Sequence, residues 1–397
     1  MQIGLSEDQE LLRATSRRAL EDRAPIARVR ELIDSPDGFD RAFWTTTAEL
    51  GWYGLLVPEE FGGGSVSGEP LVDAAIVAEE LGRLLHPGPA LVSNVVAGAL
   101  ARAGSSAQRE QHLPALAAGE TIGTWAFAES GRPWSVAGMG LRAVPTDDGF
   151  VLDGGKTYVP DAAVADLLLV TALAPAGPTQ FLVPRETPGV VVEPLETLDL
   201  TRRLATVRLT GVQLPRDAVL GEVGGAADDV EHQFRLAAVL QCAETAGATA
   251  RALEITNAYL KERIAFGRPI GSYQALKHRM ADHRTWLEGS FATTSYAARA
   301  VARDEPDAGI AVRVAKAHAG RRSSTILHDC IQLHGGIGMT WEYDLHLYAR
   351  KVISNEVLYG GTAEQHAALV DLALADPSTL TADEPQLADE QLVGGAA

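Results

Sequence analysis

Two short stretches in the last third of the chain could hold a ligand that carries both phosphate and an aromatic ring. Arg263 offers a planar fork of donors for a phosphate, and Phe266 offers an aromatic surface three residues further on. Gly335 and Gly336 have no side chains, so a dinucleotide could approach their backbone closely. One glycine is enough to end a helix, so the pair favours ligand approach over a helix cap. Outside such a motif, a surface cation at a helix end would be the better interpretation of Arg263.

Composition limits the classes of function. A chain of 397 residues with 46% hydrophobic residues can bury more than one core, and two or three domains are expected. The net charge of −18 disfavours nucleic acid and anionic membranes as partners. No apolar window approaches a membrane span, and the first ten residues are polar and acidic, unlike a secretory signal. We therefore expect a cytoplasmic protein.

The two cysteines, Cys242 and Cys330, lie in apolar helical stretches without CxxC spacing. This arrangement argues against a disulfide framework and against a zinc site, and no metal is expected. Buried small side chains are the better interpretation.

Hydrophobic periodicity divides the chain into blocks. Apolar residues recur every three or four positions before about residue 122 and again in 227–376, including a long helical stretch from Tyr273 to Arg303. Between these blocks, short β-branched runs separated by turns predict strands. The predicted domains are a helical domain, 1–122; a β-barrel, 123–226; a helical domain, 227–376; and a disordered acidic tail, 377–397.

Four motifs make the chain similar to the flavin-dependent acyl-CoA dehydrogenases. VPEEFGG, RIAFGRPI followed by Gln274, QLHGGIG and YGGT occur in the family's order and spacing, at residues 57–63, 263–270, 332–338 and 359–362. The resemblance implies a multi-domain α+β fold, with an N-terminal helical domain, a central β-barrel and a C-terminal domain of the four-helix-bundle type.

The resemblance also implies FAD as cofactor, an acyl-CoA thioester as substrate, electron-transferring flavoprotein as acceptor, and a homo- or hetero-tetramer. In the family, the residues at Arg263 and Phe266 reach the FAD of a neighbouring subunit. The positions expected to contact FAD are Arg263, Phe266, Gln274, Gln332, Gly335, Gly336, Tyr158, Thr362 and Glu364, the last where the family usually has a glutamine. For Tyr158, stacking on the flavin and packing in the barrel core remain equal alternatives.

The catalytic acid of the family is missing. The last motif usually reads Tyr-Glu-Gly-Thr, and its glutamate removes the substrate α-proton, but this chain has Gly360 at that position. Some members place the glutamate on the first helix of the C-terminal domain, where this chain has Ala237. Glu244 on that helix or Glu364 could serve as an alternative base, although a helix-surface or ion-paired carboxylate is the better interpretation of both. In the barrel, Pro160 replaces a threonine that serves the flavin ring, which argues against ring binding there.

Three hypotheses follow for the function. Some actinobacterial members of the family form α2β2 enzymes in which one subunit type lacks a complete site and which act on bulky substrates such as sterol side-chain thioesters. The chain resembles such a base-less subunit. It could instead be a non-catalytic scaffolding paralogue, or a homo-oligomeric flavoenzyme that uses Glu244.

Overall fold

The computed structural model describes residues 4–375, so the predicted tail at 377–397 lies outside the described residues. The first part of the chain is helical. Its first helix begins with a capping box, in which the backbone amide of Gln9 donates to Ser6 Oγ and that of Ser6 donates to Gln9 Oε1. The helices are α1 (Glu7–Arg23), α2 (Ile26–Ile33), α3 (Arg41–Glu49), α4 (Pro70–Arg83), α5 (Ala90–Ala103) and α6 (Ser106–Ala117).

The middle of the chain forms one eight-stranded sheet. Its strands are β1 (Gly123–Ala126), β2 (Arg142–Pro145), β3 (Gly149–Pro160), β4 (Leu167–Ala174), β5 (Gly177–Pro184), β6 (Val190–Leu195), β7 (Leu204–Pro215) and β8 (Val219–Leu220). They pair in the order β6-β7-β3-β2-β4-β5-β8, and β1 runs parallel to β4. Pro160 at the end of β3 pairs with Leu204 at the start of β7. The end of β3 and the β6–β7 loop therefore lie together.

Helices return after the sheet. They are α7 (Ala227–Glu262), α8 (Gln274–Ala302), α9 (Ala308–His334), α10 (Leu345–Val357) and α11 (Thr362–Ala375), with a small hairpin of β9 (Ile264–Ala265) and β10 (Arg268–Pro269) between α7 and α8. Helix α7 packs against α8, α9 and α10. This helix, sheet, helix order confirms the predicted multi-domain α+β fold. Among residues 4–375, no helix is long and apolar enough to cross a membrane.

Helices α4 and α7 cross at two glycines and join the two helical parts. A Cβ atom added to Gly82 would lie 2.0 Å from the carbonyl oxygen of Glu244. One added to Gly247 would lie 1.9 Å from the carbonyl oxygen of Glu79. Because backbone atoms cannot retreat as a flexible side chain can, only glycine allows the helices to approach this closely.

Replacing Gly247 by alanine should destabilise the protein. Alanine favours a helix over glycine by about 1 kcal/mol, but overpacking at the crossing typically costs about 1–3 kcal/mol. We expect a net loss, measured as a lower midpoint of denaturant unfolding. Gly309→Ala in α9 is the matched control, since its Cβ would come no nearer than 3.4 Å to Arg235. Equal stability of the two variants would contradict the tight crossing.

Candidate functional site

The residues predicted to contact a dinucleotide lie together at one end of the C-terminal helices. They come from the end of α7, the β9–β10 hairpin, the start of α8 and the end of α9. All six side chains or glycines are exposed, and the ring of Phe266 is 94% exposed. This outer surface consists of Arg263, Phe266, Gln274, Gln332, Gly335 and Gly336.

Aromatic contacts hold the outer surface in place. The Tyr259 ring, one helical turn before Arg263, stacks on His334 with the ring centroids 4.3 Å apart. The Tyr259 hydroxyl donates to the His334 backbone carbonyl at 3.3 Å. These contacts join the end of α7 to the turn that contains Gly335.

The outer surface is open to a ligand. Gly335 has φ of +64°, which favours glycine, and a Cβ on either Gly335 or Gly336 would meet no atom within 4 Å among the described residues. Within residues 4–375, the Arg263 side chain forms neither an ion pair nor a hydrogen bond. Its guanidinium donors are therefore available to a phosphate, and these residues fit the dinucleotide part of FAD.

The other predicted residues lie near the end of β3 and the turn between α10 and α11. Tyr158 has φ of +52° and is 46% exposed, so it does not pack in the core of the sheet domain. Thr362 donates to Glu356 Oε1 at 3.4 Å, and Glu364 accepts from the backbone amide of Gly361 at 2.9 Å. Gly360 is buried with φ of +93°.

Gly360 borders a cavity of about 210 Å³. Aromatic side chains form part of its lining, from Trp134 of the sheet domain, Phe234 of α7 and Tyr359. The rings of Trp134 and Tyr359 meet edge to face with their centroids 5.3 Å apart. Because glycine has no side chain, no acid or base projects from Gly360 into this space.

A buried ion cluster occupies the interior beside this turn. Arg202 Nη2 donates to Glu244 Oε2 at 2.5 Å, and Lys351 Nζ lies 3.2 Å from Glu244 Oε1 and 3.3 Å from Asp199 Oδ2. Asn355 Nδ2 donates to Glu244 Oε2 at 2.8 Å. Two cations face two carboxylates, so the cluster is electrically balanced. Asp199, Glu244, Lys351 and Asn355 are each at most 3% exposed.

The ion cluster leaves little space beside Pro160. A cavity of about 30 Å³ remains there, bordered by Pro160, Arg202, Glu244 and Tyr359. It can hold only a few water molecules. Burial raises the pKa of Asp161, which borders the same cavity, to about 7. The space beside Pro160 is therefore too small for a three-ring isoalloxazine, whereas the outer surface fits the dinucleotide.

Glu244 is poorly suited to remove a proton from a substrate. Burial alone would raise its pKa, but the charges of Arg202 and Lys351 and the hydrogen bond from Asn355 outweigh burial and lower the pKa to about 2. A general base works best with a pKa near the working pH. Ala237, at the alternative family position, is buried and offers only a methyl group.

A second buried ion pair lies in the sheet domain. Lys156 Nζ donates to Glu129 Oε1 at 2.7 Å, and Glu129 also accepts from the backbone amides of Gly140 and Leu141 at 2.7 and 2.9 Å. Burial lowers the pKa of Lys156 to about 8, although its bond to Glu129 opposes the shift. These side chains brace the loop between β1 and β2.

Sequence reasoning missed the partners of Glu244. Lys351 and Asn355 are four residues apart, so they share a face of α10 with the buried Leu347. The lysine on the apolar face of this helix was the sequence feature that could have indicated a buried ion pair. Asp199 and Arg202 lie in the β6–β7 loop and gave no comparable signal.

Two family models match the chain. Residues 6–120 match the N-terminal domain of acyl-CoA dehydrogenases, and residues 227–374 match their C-terminal domain. Together they cover more than half of the sequence. The chain therefore belongs to the acyl-CoA dehydrogenase family of flavin oxidoreductases, as the motifs predicted.

Three similar proteins indicate which members of the family this chain resembles. Acyl-CoA dehydrogenase IpdE2 of Mycolicibacterium smegmatis is 35% identical over 364 residues, which cover 91% of this chain and 97% of the relative. The ChsE4-ChsE5 complex from Mycobacterium tuberculosis aligns with a TM-score of 0.85 at 30% identity, over 95% of this chain and 99% of the other. A variant of the Tcur3481-Tcur3483 steroid acyl-CoA dehydrogenase aligns with a TM-score of 0.84 at 31% identity, over 94% and 99% of the two chains.

Replacing Glu244 by glutamine should destabilise the protein strongly at neutral pH. Removing one charge from a buried pair typically costs about 3–5 kcal/mol, because the partners stay buried without compensation. Glu254→Gln on the same helix is the control, since Glu254 is 48% exposed and its loss should cost less than about 1 kcal/mol. Unfolding free energies of the two variants test the difference.

The loss of stability caused by Glu244→Gln should depend on pH. The folded-state pKa of Glu244, about 2, is below its ordinary value of 4.5. Its stabilising effect is therefore complete above about pH 4.5 and is lost as the pH falls towards 2, a difference of roughly 3 kcal/mol. The gap between wild type and Glu244→Gln should narrow below pH 4.5. A gap that widens in acid would contradict the assigned pairing.

Proposed function

We propose that this chain is the base-less subunit of an FAD-dependent acyl-CoA dehydrogenase that assembles with a related subunit. It lends its outer surface to FAD held mainly by the partner. The partner supplies the flavin-ring site and the base that removes the substrate α-proton.

One contrast within the chain carries this proposal. The outer surface is exposed and its arginine is free of ion pairs among the described residues, whereas the ion cluster leaves little space beside Pro160. A subunit that served only its own FAD would need that space to be open. A subunit that serves a neighbour's FAD needs only the outer surface.

Each residue of the outer surface would make a different contact with FAD. Arg263 would hold a phosphate through charge-assisted hydrogen bonds, Phe266 would contact an aromatic ring, and Gly335 and Gly336 would let the backbone approach the dinucleotide. When bound, FAD supplies the acceptor for the hydride that leaves the β-carbon of the acyl thioester. Gly360 and Glu244 would take no part in proton removal.

Two of the similar structures support a partner and a substrate class. The ChsE4-ChsE5 structure is a complex of two named proteins, and Tcur3481-Tcur3483 is a steroid acyl-CoA dehydrogenase whose name also joins two proteins. We infer a hetero-tetramer acting on a bulky, steroid-derived acyl-CoA thioester, with electron-transferring flavoprotein as the acceptor.

Expression with and without the partner separates this proposal from its rivals. We expect a colourless chain when it is expressed alone, and a yellow complex with FAD when it is co-expressed with a related subunit from the native host. FAD and activity in the chain alone would indicate a homo-oligomeric flavoenzyme. If the chain binds the partner, but the partner holds the same amount of flavin without it, the chain is a scaffold.

Arg263→Ala should weaken the binding of FAD to the complex. Loss of a charge-assisted phosphate contact typically costs about 1.5–3 kcal/mol, which corresponds to about tenfold or more in affinity. Arg208→Ala is the matched control, because Arg208 lies on β7 and pairs with Glu193 on the exposed sheet surface. FAD content after dialysis, read from flavin absorbance, is the measurement. Equal retention by both variants would argue against the outer-surface assignment.

Gly360→Glu should not create an active enzyme from this chain alone. From the motif alone, a restored carboxylate would be expected to recover partial activity. The structure changes that expectation, because little space remains beside Pro160 and Gly360 has φ of +93°. A new Cβ would also lie 2.5 Å from the movable amide end of Gln365. Left-handed backbone at a non-glycine residue costs about 1–3 kcal/mol.

Anaerobic bleaching of flavin by a panel of acyl-CoA thioesters provides the activity assay, and thermal unfolding reports the strain. Gly361→Glu is the stability control, since its Cβ would come no nearer than 3.8 Å to another residue. We expect no bleaching by the isolated Gly360→Glu chain and a lower melting temperature than for the control. Bleaching by that chain would show that the interior can accept the ring.

A further inference from the structure

A third, much larger cavity lies on the opposite side of the α4–α7 crossing from the ion cluster. It measures about 770 Å³ and shares no residue with the two smaller cavities described above. Its floor is apolar, with Ala75 and Ile76 from α4, Ala243 and Ala246 from α7, and Phe291 from α8. Volumes of about 300–1,000 Å³ with mostly apolar walls are typical of small-molecule sites.

One buried hydroxyl in this cavity lacks a partner. Thr294 is only 5% exposed, and its Oγ1 has no hydrogen-bond partner among the described residues. Neighbouring Ser290 and Thr293 on the same helix instead donate to backbone carbonyls four residues earlier, at 3.2 and 2.8 Å. Buried hydroxyls are usually satisfied, so an unpartnered one that lines a cavity indicates a missing polar partner.

The charges around the cavity balance. Four arginines and four glutamates line it: Arg13, Arg284, Arg299, Arg303, Glu10, Glu79, Glu288 and Glu305. Several already pair with one another, for example Arg13 with Glu79 at 3.3 Å. Because neither sign is in excess, the lining favours a neutral ligand over an anion such as a free fatty acid.

We propose that this cavity binds a neutral, apolar small molecule with an alcohol or ketone oxygen that hydrogen-bonds to Thr294. The apolar floor buries the body of the ligand, and the Thr294 hydroxyl fixes its oxygen. The site is separate from the outer surface and the ion cluster, so it stands independently of the function proposed above.

Isothermal titration of the full chain tests the proposal. The probes are androst-4-ene-3,17-dione, a rigid neutral ketone; 1-decanol, a flexible neutral alcohol; and decanoate, which matches the decanol chain but carries a negative charge. We expect saturable binding of at least one neutral probe, and weaker binding of decanoate than of decanol. Binding of only one neutral probe would identify the ligand as fused-ring or flexible.

Two variants locate the site. Thr294→Val keeps the side-chain shape but removes the hydroxyl. It should lower the affinity for the neutral probes by about two- to tenfold. Thr293→Val is its control and should change nothing. Ala292→Phe puts a ring into the cavity from an exposed position of α8 and should abolish binding. Ala107→Phe, on the exposed face of α6, is the matching control.

Three results would overturn the proposal. They are no saturable binding of either neutral probe, tighter binding of decanoate than of decanol, and unchanged binding by Ala292→Phe. Thermal unfolding of each variant confirms that a loss of binding is not a loss of fold. Thr294→Val serves as the second test if Ala292→Phe lowers the melting temperature.

Discussion

The ion cluster around Glu244 is the constraint on which the interior of this protein depends. A charge in a low-dielectric interior is tolerated only when opposite charges and hydrogen bonds compensate it. Glu244 on α7 obtains that compensation from Arg202 of the β6–β7 loop and from Lys351 and Asn355 of α10. The sheet domain and two helices must therefore keep one arrangement. The same arrangement leaves little space beside Pro160.

Glu244 also marks the point where α4 and α7 touch. Its side chain faces the ion cluster, while its backbone carbonyl meets Gly82 of α4. On α4, Glu79 meets Gly247 through its backbone carbonyl, and its side chain lines the large cavity. The crossing thus separates a nearly filled space from an open one. Close backbone contact at the two glycines keeps these two spaces apart, because it brings the helices together without side chains between them.

Sequence patterns predicted the parts of this molecule that depend on local spacing. The helical stretch expected from Tyr273 to Arg303 is α8, Gln274–Ala302, and the family motifs identified the fold. The ion cluster was not predictable in this way. Lys351 lies 107 residues from Glu244 and 152 from Asp199, and periodicity does not specify pairings over such separations. For Glu244, the choice between a base and an ion-paired carboxylate needed the positions of its partners.

The contrast between surface and interior bears on how such a subunit would assemble. In a symmetric homo-oligomer, every chain that lends an outer surface to a neighbour's FAD also holds an FAD of its own, because all copies are identical. The proposed function separates the two abilities in this chain, since the outer surface is open and little space remains beside Pro160. Under that proposal, copies of this chain alone would offer outer surfaces with no ring site to serve. The outer surface gains a use only beside a different chain whose interior is open, which is why the proposed function requires a hetero-oligomer.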